Sequence, residues 1–133
     1  KAIKECVEVL KNTEVLPLIS LEKGLCLSAQ ELADDLEKTG KRGGTTSSGK
    51  GAAQRMQEYG RVMQIWSESV WYSLNTARDI VVSMLIDDGV AKRGHRTSIL
   101  NPRFTKMGIG FSSKHKVYGT VSVIDLCGDY ESF

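Results

Sequence analysis

Apolar side chains in the first forty residues recur every three or four positions, which is typical of amphipathic helices. One such stripe predicts a helix near the start of the chain: Ile3, Cys6, Val7 and Leu10. A second stripe predicts a longer helix: Leu25, Ala29, Leu32, Ala33 and Leu36. Gly40 follows the second stripe and is predicted to end that helix, because glycine readily adopts the left-handed conformation found at many helix C-termini.

A polar, glycine-rich loop over residues 40–51 comes next, followed by a short predicted helix over residues 52–59 that Gly60 closes. Residues 44–50 match the first seven positions of a phosphate-binding P-loop. The eighth position of that motif requires Ser or Thr, but here it is Gly51, and the loop follows a predicted helix instead of a strand. The sequence therefore does not predict a nucleotide site.

The middle of the chain changes to a strand pattern and then returns to a helical one. Residues 62–72 are rich in apolar and aromatic side chains, which is typical of a strand. A buried helix is predicted next, with Asn75 as its N-cap. Its inner face contains Ala77, Ile80, Val81, Met84 and Leu85. One further helical turn is predicted from His95 to Leu100, before Pro102.

The last third of the chain predicts a strand hairpin. Three apolar residues alternate with two glycines: Met107, Gly108, Ile109, Gly110 and Phe111. One face of this strand is expected to pack, while the glycine face allows a close approach. Residues 117–126 complete the hairpin through a turn over residues 112–116. Helices followed by strands predict one α+β domain over residues 1–133, with an antiparallel sheet.

Composition narrows the possible classes of protein. The net charge of +2, without a basic cluster among aromatic residues, argues against a nucleic-acid partner. The longest apolar run, residues 80–86, is too short to span a membrane. Three cysteines without C-x-x-C spacing, Cys6, Cys26 and Cys127, fit either one disulfide and a free thiol or three buried thiols. Cys6 and Cys26 lie on apolar helical faces, which favours small buried side chains.

The chain has only two histidines, and proton transfer near neutral pH or imidazole ligation of a metal must use one of them. His115 lies in a polar stretch between two predicted strands, which predicts an exposed residue at a hairpin tip. His95 is therefore the candidate for chemistry.

Acidic residues at two places are further candidates. Asp87 and Asp88 follow a predicted helix, whose C-terminus disfavours each negative charge by roughly 0.3–1 kcal/mol. A metal ion or a nearby cation is expected to balance them. The nearby cations are Lys92, Arg93, His95 and Arg96. Glu68 lies inside the predicted strand, on the same face as Val70 and opposite Trp71, and is either solvated or buried with a partner.

These residues allow three interpretations. In a serine hydrolase, His95 would be the base, Asp87 its orienting acid, and Ser69 or Ser98 the nucleophile, although no G-x-S-x-G motif supports this. A glycosidase would use Glu68 and Asp87 as its pair of carboxylates. In a structural role, His95 and Glu68 would join helix and sheet through a buried polar network.

Four segments resemble the CAP superfamily, together with the order Leu25…Ala29…Ala33 and the glycine-threonine loop that precede them. This family groups cysteine-rich secretory proteins, antigen 5 and pathogenesis-related proteins and is also called the SCP domain. The segments are 67–69 (SES), 85–90 (LIDDGV), 93–102 (RGHRTSILNP) and 107–110 (MGIG). The last three are similar to the bacterial or primitive branch of the family. The resemblance runs from about residue 2 to residue 126 and is most specific over residues 85–110.

The resemblance implies an α-β-α sandwich, with helices on both sides of a central antiparallel sheet, and an open cleft. It also implies a secreted or cell-surface protein. Family members often carry two histidines and two acids in the cleft, which hold a divalent ion such as zinc. By this resemblance His95, Glu68 and Asp87 match three of the four residues, and Gly44 stands where the first histidine would be.

We therefore predict a secreted, monomeric, non-catalytic domain that requires no cofactor and binds its ligand at Glu68, Asp87, His95 and Gly44. The expected ligand is a small apolar molecule such as a sterol or lipid, a glycan, or a protein partner. The alternative is a peptidase-like hydrolase in which His95, Glu68 and Asp87 bind zinc weakly and His95 and Glu68 act in catalysis. One histidine and two carboxylates would form an open site with three ligands.

Overall fold

The computed structural model describes all 133 residues and contains five helices and four strands. In chain order they are α1 (Ala2–Lys11), β1 (Ser20–Leu21), α2 (Lys23–Thr39), α3 (Ala52–Tyr59), β2 (Gly60–Tyr72), α4 (Ala77–Ile86), α5 (Gly94–Ile99), β3 (Lys106–His115) and β4 (Gly119–Ser132). The helices and the long strand expected from residue spacing are all present. No helix has both the length and the apolar character needed to cross a membrane.

The four strands form one sheet in the order β1-β3-β4-β2. β4 pairs antiparallel with both β3 and β2, whereas the two-residue strand β1 runs parallel to β3. The sheet is therefore mixed, and the expectation of a purely antiparallel sheet is corrected at this edge. β4 also continues to Ser132, beyond the predicted end at Leu126, because its last residues pair with the start of β2.

Helices cover both faces of the sheet. The face towards α2 contains Val121 and Val123, which pack against Ala29, Leu32, Ala33 and Leu36. The opposite face contains Ile124 and Leu126, which pack against Ile80 and Met84 of α4 and against Phe104. Successive residues of β4 thus point alternately to the two helical layers, as strand geometry requires. The result is the α-β-α sandwich expected from the resemblance.

Glycines allow α2 to lie directly on the sheet. A β-carbon at Gly108 would clash with the backbone of Leu25, and one at Gly110 would clash with the backbone of Ala29. These contacts confirm the close approach predicted for the glycine face of β3. Gly40 ends α2 with φ of 70°, in the left-handed region predicted for it.

Three local predictions are wrong. Thr76, not Asn75, caps α4, and its hydroxyl accepts a hydrogen bond from the Asp79 N–H at 3.1 Å. The hairpin turn lies between His115 and Gly119 instead of over residues 112–116. His115 is buried, not exposed: its Nε2 lies 2.9 Å from the Lys41 carbonyl.

Long-range packing explains the burial of His115. Its Nδ1 accepts hydrogen bonds from the N–H groups of Val117 and Tyr118, both at 3.2 Å, so Nε2 carries the proton that is donated to Lys41. Its ring also lies against Tyr72 and Tyr118. The loop after α2 therefore covers the hairpin tip, a contact that the local sequence around His115 does not reveal.

All three cysteines are free thiols. Cys6 and Cys127 are buried, whereas Cys26 is partly exposed. Of the two arrangements left open by the sequence, three thiols without a disulfide is the one observed.

Candidate functional site

Asp87 lies between two helices and satisfies the ends of both. It is the C-cap of α4 in a left-handed conformation, with φ of 50°, and its N–H donates to the Ser83 carbonyl at 2.8 Å. Its side chain turns to the start of α5, where Oδ2 accepts from the N–H groups of His95 at 2.8 Å and Arg96 at 3.3 Å. The carboxylate predicted to oppose one helix dipole therefore supplies the N-terminal acceptor for the next helix.

The same carboxylate orients the His95 ring. Asp87 Oδ1 lies 2.9 Å from His95 Nδ1. Burial opposes the ionisation of Asp87, but the hydrogen bond from the His95 ring and the N–H groups of Arg96 and His95 outweigh it and lower the pKa of Asp87. The ionised acid accepts a hydrogen bond from Nδ1 of His95, and no hydrogen bond occupies Nε2. Nε2 is therefore the ring nitrogen of His95 that is left without a hydrogen-bond partner.

The cations expected near Asp87 act mainly on the backbone. Arg96 donates to the carbonyls of Leu85 at 2.6 Å and Ile86 at 2.8 Å, and Arg93 donates to the Asp87 carbonyl at 2.7 Å. These contacts satisfy the C-terminal end of α4. Glu5 of α1 accepts from both arginines, and hydrogen bonds from Arg93 and Arg96 lower its pKa to about 2.

An open cleft of about 470 Å³ lies beside the Asp87–His95 pair. Its lining combines aromatic, apolar and charged side chains: Arg42, Val70, Trp71, Tyr72, Ser83, Ile86, Asp87, Asp88, Val90 and His95. The Trp71 ring lies 4.9 Å from the His95 ring, and the Arg42 guanidinium lies 4.7 Å from the centre of the Tyr72 ring. We call this space the His95 cleft.

Glu68 does not line the His95 cleft. It pairs in register with Asp125, and Trp71 pairs with Ser122, so Glu68 and Trp71 point to opposite faces of the sheet. Glu68 lies on the face covered by α2 and α3, where it forms an ion pair with Arg55. Gly44 is its neighbour, since a β-carbon at Gly44 would be 3.2 Å from Glu68 Oε1.

The four predicted site residues therefore form two pairs instead of one cleft: Asp87 with His95, and Glu68 with Gly44. Glu68 is paired with buried Arg55, with only 6% of its side chain exposed, whereas Asp87 and His95 line the His95 cleft. Of the four, only Asp87 and His95 line the His95 cleft, and a ligand site shared by all four stays a prediction.

The residues present do not fit the zinc ion implied by the resemblance. No group of three or more His, Cys, Asp or Glu side chains is arranged to hold a metal ion, so His95, Glu68 and Asp87 do not form a ligand set. Arg55 already neutralises Glu68. The remaining pair supplies His95 Nε2 and a carboxylate that is occupied by three hydrogen bonds, short of the ligand number of protein zinc sites.

The serine and glycosidase interpretations also lack their geometry. The Ser98 hydroxyl lies 3.3 Å from that of Ser67, and neither Ser98 nor the buried Ser69 forms a hydrogen bond with His95. Glu68 is ion-paired with buried Arg55 and does not line the cleft beside Asp87, so the two acids are not arranged as a free carboxylate pair.

Two charged residues beside Glu68 were not predicted from the sequence. Arg55 is fully buried on α3, and Asp125 is fully buried on β4. Burial and the neighbouring Glu68 raise the pKa of Asp125 to about 9, so Asp125 is protonated at neutral pH. Asp125 is the single acid within the apolar run of residues 121–127, which could have indicated its burial. Arg55 is next to the core residue Met56, which could have done the same.

The fold and the Asp87–His95 pair define an α-β-α domain of the SCP type. The cysteine-rich secretory protein (CAP) family pattern matches residues 13–126, and the chain belongs to this family. A search of curated protein sequences gives no significant match. An extracellular SCP-domain protein from Bacillus anthracis str. Ames has a similar structure, with a TM-score of 0.66 at 18% identity. The similarity covers 91% of this chain but only 36% of the Bacillus chain.

An outer surface protein from Borrelia burgdorferi is similar to the same degree. It has a TM-score of 0.66 and 18% identity, with coverage of 93% of this chain and 86% of the Borrelia chain. At this identity both structures support the shared fold. This chain corresponds to about a third of the length of the Bacillus protein.

Proposed function

We propose that this chain is an extracellular, non-catalytic CAP domain that binds a small apolar ligand. The extracellular location is supported by the two structural neighbours, which are described as an extracellular protein and an outer surface protein. The proposal of a binding role is supported by a second cavity, separate in its lining from the His95 cleft.

This apolar cavity lies between α4 and the sheet and has a volume of about 170 Å³. Ten of its eleven lining residues are hydrophobic, and the exception is Ser122. The ten are Ile19, Ala77, Ile80, Val81, Met84, Ile99, Met107, Ile109, Ile124 and Leu126. An apolar cavity of roughly this size, about 150 Å³, stays dry and accepts benzene in another protein, so this lining favours hydrocarbon over water. Its composition is the observation that carries the proposal.

The volume restricts the kind of ligand. Pockets that enclose drug-sized molecules usually measure about 300–1,000 Å³, so this cavity fits one ring or a short length of alkyl chain rather than a whole sterol. Val81 and Ile109 at its lining are 42% and 46% exposed, which leaves an opening for the rest of a longer ligand. Met84 and Met107 have flexible side chains that adapt to different ligands.

The test uses calorimetric titration with fatty acids of increasing chain length, a sterol and a sulfated glycan. We expect binding of the fatty acids, with affinity that levels off once the cavity is filled. Ile109→Trp fills the opening and should weaken binding by at least roughly tenfold, equivalent to about 1.4 kcal/mol.

Phe111→Trp is the matched control, because Phe111 lies on the same face of β3 with 45% exposure and does not line the cavity. It should leave affinity unchanged. Absence of heat with every fatty acid, or equal losses in both variants, would contradict the proposed function. Binding of the glycan alone would instead favour a polar ligand.

A further inference from the structure

Arg55 is a fully buried cation that contacts three separate parts of the chain. Its guanidinium donates to the Gly44 carbonyl at 2.9 Å and the Lys50 carbonyl at 3.1 Å, both in the glycine-rich loop. Its Nε donates to the Ser28 carbonyl of α2 at 3.3 Å, and Nη2 forms the ion pair with Glu68 of β2. A buried charge is tolerated only with such complete pairing.

The oxygen atoms around Arg55 are of the kind that hard metal ions bind. Carboxylate and backbone carbonyl oxygens are the usual protein ligands of calcium and magnesium. Here the planar guanidinium of Arg55 donates hydrogen bonds to these oxygen atoms. Its position is fixed because Arg55 belongs to α3. We infer that Arg55 is a built-in cation, which neutralises Glu68 and draws the carbonyls together, and thereby excludes a metal ion from this acid.

The charge balance of the cluster supports this inference. Asp125 is held protonated beside Glu68, so the buried groups carry one positive and one negative charge. A divalent ion added to this neutral cluster would bring two uncompensated charges into the core, which is strongly unfavourable. Removal of Arg55 would instead leave Glu68 with no counter-charge, and an added cation would then be favourable.

The experiment compares wild type with Arg55→Gln, after treatment with EDTA, by melting temperature and calorimetric titration with ZnCl₂ and CaCl₂. The melting temperature of the wild type should not change with either ion in a way that depends on Glu68. Any metal effect in the wild type should therefore persist in Glu68→Gln. Arg55→Gln should melt at a lower temperature and recover part of the loss when either ion is added. Arg55→Gln combined with Glu68→Gln should lose that recovery, because the acid that needs a cation is gone.

Two results would overturn the inference. One is zinc binding by wild type that disappears in Glu68→Gln, which would show that Arg55 leaves the acid free. The other is a folded Arg55→Gln whose melting temperature does not respond to either ion. If Arg55→Gln does not fold without metal, the metal titrations of wild type and Glu68→Gln test the inference. Their result does not depend on whether the protein binds fatty acids.

Discussion

Asp87 is joined to His95 twice, through the backbone N–H at 2.8 Å and through ring Nδ1 at 2.9 Å. One carboxylate thus starts a helix and sets the orientation of the imidazole at the cleft. Substitution of Asp87 consequently affects both the start of the helix and the orientation of the His95 ring. The two effects have to be measured separately.

Asp87→Ala should reduce the free energy of unfolding by about 1–3 kcal/mol, because it leaves the buried N–H groups of His95 and Arg96 without an acceptor. Urea unfolding measures the loss. Asp88→Ala is the control: Asp88 is exposed and should change stability by no more than about 0.5 kcal/mol. Equal effects in the two variants would refute the capping role of Asp87.

Glu5 should make stability depend on acidity. Hydrogen bonds from Arg93 and Arg96 lower its pKa from 4.5 to about 2, so its contribution is complete above pH 4.5 and is lost as the pH falls towards 2. Urea unfolding at a series of pH values should show this decline, and Glu5→Gln should reduce it.

Glu8→Gln on the same helix provides the comparison for Glu5, because Glu8 pairs only with exposed Lys11. It should retain the wild-type acid dependence. An unchanged pH profile in Glu5→Gln would contradict a stabilising role for the contacts of Glu5 with Arg93 and Arg96.

Asp125 should act in the opposite direction. Its pKa is raised from 3.8 to about 9, so its favourable contribution is complete below pH 3.8 and declines as the pH rises towards 9. Asp125→Asn has nearly the same shape as the wild-type side chain but cannot ionise. This variant should therefore show a smaller decline in unfolding free energy between pH 4 and pH 9. A wild-type slope in Asp125→Asn would contradict the protonated state of Asp125.

The three thiols should react at different rates. Burial and the nearby Asp125 raise the pKa of Cys127 to about 12, and Cys6 is also buried, whereas Cys26 is partly exposed. An aromatic disulfide reagent should label Cys26 in the native protein and all three residues after unfolding, since the thiolate is the reactive form. Cys26→Ser should abolish native labelling. Rapid labelling of Cys127 in that variant would contradict its burial.

Elements with a strong period were predictable from sequence. The helical stripe from Leu25 to Leu36 fixed α2, and the glycines at 108 and 110 indicated the face against which it packs. Strand alternation also placed Glu68 and Trp71 on opposite faces. The resemblance predicted one shared cleft, whereas the lining of the His95 cleft contains Asp87 and His95 but neither Glu68 nor Gly44.

Contacts between distant segments were not predictable from local sequence. His115 looked like an exposed turn residue because its immediate neighbours are polar, yet its burial depends on Lys41 and Tyr72, far away along the chain. Arg55 and Asp125 are likewise each ordinary when taken alone. Both residues form their cluster with Glu68: the sheet register places Asp125 beside Glu68, and α3 places Arg55 in an ion pair with it.

The hydrogen bond between His115 and Lys41 ties a wall of the His95 cleft to the hairpin tip. Arg42, the next residue, lies over both Tyr72 and Tyr118, so the start of the glycine-rich loop and the turn after β3 are mechanically linked. Arg42 and Tyr72 also line the His95 cleft, so the hairpin tip directly contacts one wall of this cleft.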